Sequence, residues 1–216
     1  MMSPYRPPAG PVQCLYVDEH IVVAVKPSGL LSVPGRGPEK ADCLPARLEG
    51  AFGPLLIVHR LDMETSGLIV LARTPEAQSA LSRAFAERKV EKRYVAGVSG
   101  AVEAESGTIS EPIGPDWPNR PRQKLDPENG KPSESHFRVL NREAEVTYML
   151  LTPVTGRSHQ LRLHMLALGH PILGDQLYGP PETRNAAPRL LLHASSLSFD
   201  HPVTGEQMSW SAPAPF

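Results

Sequence analysis

Cysteine is nearly absent from this chain of 216 residues. Only Cys14 and Cys43 are present, with no CxxC pair. A disulfide framework is thereby excluded, and a reducing cytoplasm is the expected compartment. No apolar run reaches the ~18–20 residues that a membrane-spanning helix needs. The N-terminal stretch MMSPYRPPAGPV has no apolar signal-peptide core. There is no excess of either charge: the net value is −1. That argues against a non-specific nucleic-acid binder, so any such site has to be a local basic patch. Walker A, helix-opening GxGxxG and HExxH strings are also missing. The eight histidines show no metal-binding spacing, and His159 and His164 lie five apart, off one helical face. No metal is expected.

Proline and glycine are plentiful, at 24 and 17 residues, about a fifth of the chain and short of the low-complexity range. A loop-rich fold with many turns follows. LYVDEHIVVAV predicts two short strands around Asp18-Glu19-His20, and a helix starts near Leu44. LLIVHRLD, Leu55 to Asp62, reads as a buried strand, and LIVLA as another. After Thr74 the spacing of Ala77, Ala80, Leu81, Ala84 and Phe85 predicts a helix, with Thr74 as cap and Pro75 at its first position. Residues 107–131 read as a long loop or extended hairpin with the basic run NRPRQK. Paired strands follow at 133–140 and 145–152. SHQLRLHMLALG predicts a helix with Leu161, Met165 and Leu168 as its stripe and Gly169 as its cap. Two last strands bracket the turn HPVTGE. The predicted class is α+β: a mostly antiparallel mixed β-sheet with flanking helices and loops.

HRLDMETSGLIVLAR, His59 to Arg73, concentrates chemistry. If a strand delivers Arg60 and Asp62 at i and i+2, both side chains share one face. A Thr-Ser-Gly turn follows. Spacing alone leaves two readings open: a turn-initiating Asp paired with its neighbouring Arg, or a catalytic carboxylate.

HRLDMETSG resembles the catalytic motif of the RluA-type pseudouridine synthases. Further strings resemble that family in the same order: Lys26-Pro27-Ser28-Gly29, Lys92-Arg93-Tyr94-Val95-Ala96, TGRSHQLRLHM (155–165), and Arg189 to Ala194 followed by His201-Pro202. GKPSESHF departs from the family pattern at Ser133, Ser135 and Phe137. SGLLSVPGR, DWPNRP and GHPILGD point to family members that act on both 23S rRNA and the anticodon loop of tRNA.

The resemblance implies the pseudouridine synthase fold, with a flexible tail at 1–12, a single catalytic domain at 13–216 and no preceding S4 domain. It implies an isomerase that needs no cofactor. The N1–C1′ bond of a uridine is cleaved, and the uracil turns and rejoins through C5. Asp62 is the implied catalytic carboxylate, with Arg162 expected to pair with it and Tyr94 to stack on the target base. Leu192 is expected to pack against the flipped base, and Arg60 to fill the space it vacates. Arg120, Arg122, Lys124 and Lys131 in the long loop, with Arg157 near a helix N-terminus, are candidates for RNA contact. A second basic group holds Arg83, Arg88, Lys89, Lys92 and Arg93. Nothing calls for a protein partner, and a monomer is expected.

Two other readings compete. A catalytically silent RNA-binding module need not keep Asp62, Tyr94 and Arg162. A carboxylate glycosidase requires two working carboxylates, and Glu64 is the sole nearby candidate.

Overall fold

Apolar segments with period two, or continuous over five to seven residues, form most of the ordered elements. The computed structural model describes residues 5–216. In chain order the first half contains β1 (Gln13–Val17), β2 (Ile21–Lys26), α1 (Leu44–Phe52), β3 (Leu56–Ile57), β4 (Ser66–Ala72), α2 (Pro75–Ala86) and β5 (Glu91–Ser99). Then come β6 (Ser106–Ile109), β7 (Ile113–Pro115), β8 (Gln123–Leu125), β9 (Ser135–Glu143), β10 (Val146–Pro153) and α3 (Gln160–Ala167). The chain ends with α4 (Pro181–Asn185), β11 (Leu192–Asp200) and β12 (Gln207–Ser211). The chain divides into two compact units. One holds residues up to 92 together with 193–215, and the other holds residues 93–192 with Phe216.

In the first unit β2 pairs antiparallel with β1 and β4, β3 runs antiparallel to β4, and β12 antiparallel to β11. β4 and β11 pair in parallel at Ser66 and Gly67, so this sheet is mixed. All seven residues of β4 are buried, which accounts for its unbroken apolar run. Ala77 and Leu81 from α2 pack into the same core as Val70, Leu197 and Phe199. The Thr74 hydroxyl accepts from the Ala77 amide at 3.2 Å, so the predicted cap forms.

One expectation fails in this unit. The strand predicted to run to Asp62 stops at Ile57. The reason is local: the Val70 amide, which a longer strand would use, donates to His59 Nε2 at 3.2 Å. Arg60 and Asp62 therefore sit in a loop, and the shared-face argument from strand periodicity does not apply. The tail predicted at 1–12 is tied down where it is described. The Tyr5 hydroxyl donates to the Asp42 carbonyl at 2.9 Å and accepts from the Leu31 amide at 3.1 Å. Arg47 donates to the carbonyls of Pro8 and Gly10 at 2.8 and 3.3 Å. The first part of the predicted tail, residues 1–4, lies outside the described residues.

The second unit is antiparallel throughout its main sheet, in the order β5-β10-β9-β6, with β7 and β8 forming a separate hairpin. The region read as a long loop or extended hairpin holds β6 and the hairpin of β7 and β8, so the hairpin reading is the one realised. Ala96, Val98, Met149 and Leu151 from the sheet pack with Leu161 and Met165 of α3. α3 is shorter than predicted because His159, at φ 58°, sits in the left-handed region just before it. Gly169, at φ 87°, ends it as predicted.

Candidate active site

In the first unit the residues from His59 to Thr65 form a braced loop. Lys26 is 0% exposed, and its ammonium donates to the carbonyls of Pro27, Leu30 and Met63 at 2.9, 2.7 and 2.9 Å. A buried ammonium needs such acceptors, because removing it from water without them is very costly. The Gly29 amide donates to the same Met63 carbonyl at 2.8 Å, and Ser28 Oγ donates to the Glu64 carbonyl at 2.7 Å. Ser32 Oγ donates to the Leu61 carbonyl at 2.7 Å and accepts the Leu61 amide at 3.2 Å. The Thr65 amide closes the turn onto the Asp62 carbonyl at 3.1 Å. The Lys-Pro-Ser-Gly segment is thus a clamp on the loop that carries Asp62. Leu61 is buried, Asp62 is half-buried and Arg60 is exposed.

His59 anchors the start of this loop. Its ring stacks on Phe85 with centroids 4.4 Å apart. Burial, reinforced by the Lys92 charge, pushes its pKa down to about 3, so it is neutral and free to accept the Val70 amide. At the loop's end Gly67 has φ 115°, and a Cβ there would lie 2.3 Å from the Ala194 carbonyl oxygen. Only glycine allows β4 and β11 to approach here. Beside it, Ser66 Oγ and His193 Nδ1 are hydrogen-bonded at 2.8 Å.

In the second unit Arg162 is carried by α3 and is buried. It is 4% exposed and forms a two-pronged ion pair with Asp175, Nε to Oδ2 at 2.8 Å and Nη2 to Oδ1 at 2.6 Å. Asp175 Oδ1 also accepts the amides of Leu177 and Tyr178 at 2.9 and 3.0 Å. Burial raises the Asp175 pKa, but Arg162 and those two amides outweigh it and hold the carboxyl below its ordinary value. The Arg162 guanidinium also lies 5.1 Å from the Tyr178 ring centroid. Neither Asp175 nor Tyr178 was singled out from sequence, although GHPILGD contains the former. An Asp after a Gly in a loop carries no local sign of burial.

Other parts of the third motif secure the start of α3. Gln160 Oε1 accepts from Thr155 Oγ1 at 2.7 Å and from the Arg157 amide at 3.0 Å. Its amide group donates to the Glu134 carbonyl and Ser135 Oγ, both at 2.9 Å. His164 is fully buried, and burial lowers its pKa. Its ring nitrogens meet Ser135 Oγ at 2.9 Å and Ser133 Oγ at 3.1 Å. The two serines at which the chain departs from the family pattern are therefore the partners of this histidine.

The remaining candidates are placed as follows. Tyr94 is partly buried against the second unit's core, and Leu192 is 3% exposed within it. Arg157 is exposed, and its Nε donates to the Pro132 carbonyl at 3.2 Å. The loop cations do not form one free cluster. Arg120 is stacked on Trp117, Arg122 lies over the Tyr178 ring, and Lys124 is paired with Asp126 at 3.2 Å. Lys131 is exposed, with its backbone hydrogen-bonded to Ile113. In the second basic group Lys89 is paired with Glu87 at 2.6 Å, and Lys92 lies 5.4 Å from the Phe85 ring centroid. Among the described residues no three His, Cys, Asp or Glu side chains are grouped to hold a metal.

A family model described as RNA pseudouridylate synthase matches residues 20–167. The chain is 51% identical over 217 residues to the dual-specificity RNA pseudouridine synthase RluA of Escherichia coli strain K12, covering 100% of this chain and 99% of that one. Its identity to the protein of the same name from Pasteurella multocida is 50%, covering 98% of each. The solved human RNA pseudouridylate synthase domain containing 1 is 31% identical with a TM-score of 0.84, covering 98% of this chain and 87% of that one. Ordered motifs, an α+β fold and full-length similarity agree: the chain belongs to the RNA pseudouridylate synthase family, isomerases that convert uridine to pseudouridine.

Proposed function

We propose that this enzyme isomerises specific uridines in 23S rRNA and in the anticodon loop of tRNA, with Asp62 as its catalytic carboxylate. The observation that carries the reading is the full-length similarity to proteins named dual-specificity RNA pseudouridine synthases. Residues 13–216 act as one catalytic domain, with RNA as partner, as a monomer and in the cytoplasm. Among the described residues no helix is long and apolar enough to cross a membrane.

The reaction breaks N1–C1′ and forms C5–C1′, while the C5 proton leaves and N1 gains one. Atoms balance within the nucleotide, so no cofactor is required. Glycosidic cleavage builds positive charge on the sugar, which suits a carboxylate. Attack at C1′, attack at C6 and removal of a ribose proton all use the same group. The braced loop keeps Asp62 half-exposed and fixed, so little ordering is left for the moment of reaction. Arg60, exposed two residues earlier, fills the gap left by the extruded base, since a planar guanidinium both stacks and meets phosphates. Tyr94 stacks on the target base, and Leu192 lines the wall against which it packs. Arg162, the third motif's arginine, acts as the catalytic arginine, with Asp175 holding its guanidinium in orientation. Arg157, Arg120, Arg122, Lys124 and Lys131 supply phosphate contacts.

The test incubates the protein with uridine-labelled tRNA and with large-subunit rRNA fragments. Pseudouridine is expected in both, and its absence from both sinks the reading. Asp62→Asn is expected to bind RNA and make no product; near-normal turnover would remove Asp62 from the mechanism. Arg60→Ala should slow turnover of folded RNA most, and an unchanged rate would leave Arg60 a structural residue.

A further inference from the structure

Trp117 has a relative exposure of 64%, the highest of any large apolar side chain among the described residues. A single exposed aliphatic residue is ordinary surface. This indole is different, because one of its faces is already occupied. The Arg120 guanidinium carbon lies 3.8 Å from the ring centroid.

The segment between β7 and β8 that presents the pair is ordered in advance. Pro118 and Pro121 within it, and Pro115 at the end of β7, restrict its backbone. The Asn119 side-chain amide spans both Asp116 carboxylate oxygens at 3.1 and 3.0 Å. Backbone bonds join Asp116 to Arg122, Asn119 to Asp116 and Arg122 to Asn119. The base of the hairpin is latched by the Gln123 amide, which donates to the Tyr178 hydroxyl at 2.8 Å. A fixed aromatic face loses little freedom on binding.

The chemistry of the missing layer follows. An indole backed by a guanidinium offers its second face to another flat π-system. Every nucleobase has one, and base–aromatic stacking tolerates any sequence. Electrostatics alone cannot carry this tip, because Lys124 is answered by Asp126 and the Asp116 carboxylate sits beside Trp117. We propose that Trp117, backed by Arg120, is the stacking platform for an unpaired base flanking the target uridine, and so a substrate-positioning residue. This rests on RNA being the substrate.

Intrinsic fluorescence tests it. The other tryptophan, Trp210, is replaced by phenylalanine so that Trp117 alone reports. Titration with a uridine-containing RNA stem-loop should quench its emission. Trp117→Ala should raise KM for that stem-loop about tenfold with kcat unchanged, and Trp117→Phe should restore most of the affinity. Raised salt should leave the ratio of the two KM values intact, as stacking predicts. The inference is overturned if RNA binds without altering Trp117 emission, or if Trp117→Ala keeps its KM. It is also overturned if the substitution instead abolishes self-association of the protein. Wild type that binds RNA but makes no pseudouridine would defeat the functional reading, while Trp117 emission would still decide this one.

Discussion

Arg162 and Asp175 show what one buried pair demands. Each is at most 4% exposed, and together they satisfy one another with two parallel hydrogen bonds. Removing either partner strands a charge out of water, so Arg162→Ala or Asp175→Ala is expected to cost about 3–5 kcal/mol in denaturant unfolding. Arg162→Lys should rescue little, because a point charge cannot meet both carboxylate oxygens. Asp175 has a depressed folded pKa, so its stabilisation is present above the unfolded value near ~3.9 and is lost as pH falls through the folded value. His59 acts over a wider window with the same direction. Its folded pKa is about 3 against an ordinary 6.5, so the unfolded chain takes up a proton first as pH falls. Stability should be full above pH 6.5 and decline from there toward about 3. A melting series over that range checks this, and His59→Gln should flatten it.

At the scale of elements, the contrast between β4 and β3 is instructive. The run that forms β4 is continuous and apolar, α2 follows it with a Thr-Pro start, and both are legible as strings. Thr74→Ala is expected to cost about 1 kcal/mol, measured by thermal or denaturant unfolding. The end of β3 was not legible, because a histidine side chain rather than a backbone partner takes the Val70 amide. Asp62 accordingly rides on a loop held by side chains from elsewhere in its unit. Ser32→Ala removes both bonds to Leu61 and leaves its backbone groups unpaired, a cost of about 1–3 kcal/mol. Turnover should drop while RNA affinity holds, which a comparison of kcat with the binding constant would show. Gly67→Ala should be worse, at least ~2–3 kcal/mol, since strained φ and a clash with Ala194 act together. Its melting temperature reads the outcome.

For the molecule as a whole, a net charge of −1 requires RNA affinity to depend on selected cations rather than on a general field. Affinity should fall linearly on logarithmic axes as salt rises, by a slope of about 0.7–0.9 per phosphate neutralised. Arg157 is exposed and Lys124 is already paired with Asp126. Arg157→Ala should therefore reduce the slope by about one contact, and Lys124→Ala by less, in binding titrations across a salt series.

Sequence alone determined whatever depends on near neighbours. Strand and helix periods, the Thr74 cap, the Gly169 stop and the motif string around Asp62 are all local features, written in adjacent residues. The family followed from the order of those strings. Tertiary structure decided the partners of buried polar groups: Asp175 for Arg162 across 13 positions, the Met63 carbonyl for Lys26 across 37, and Ser133 and Ser135 for His164. It also decided that Trp117 stands in solvent and that the residues near Tyr5 are tied to Asp42. The reason is physical. A buried donor or charge must find an acceptor wherever the chain brings one, and that meeting depends on packing rather than on spacing.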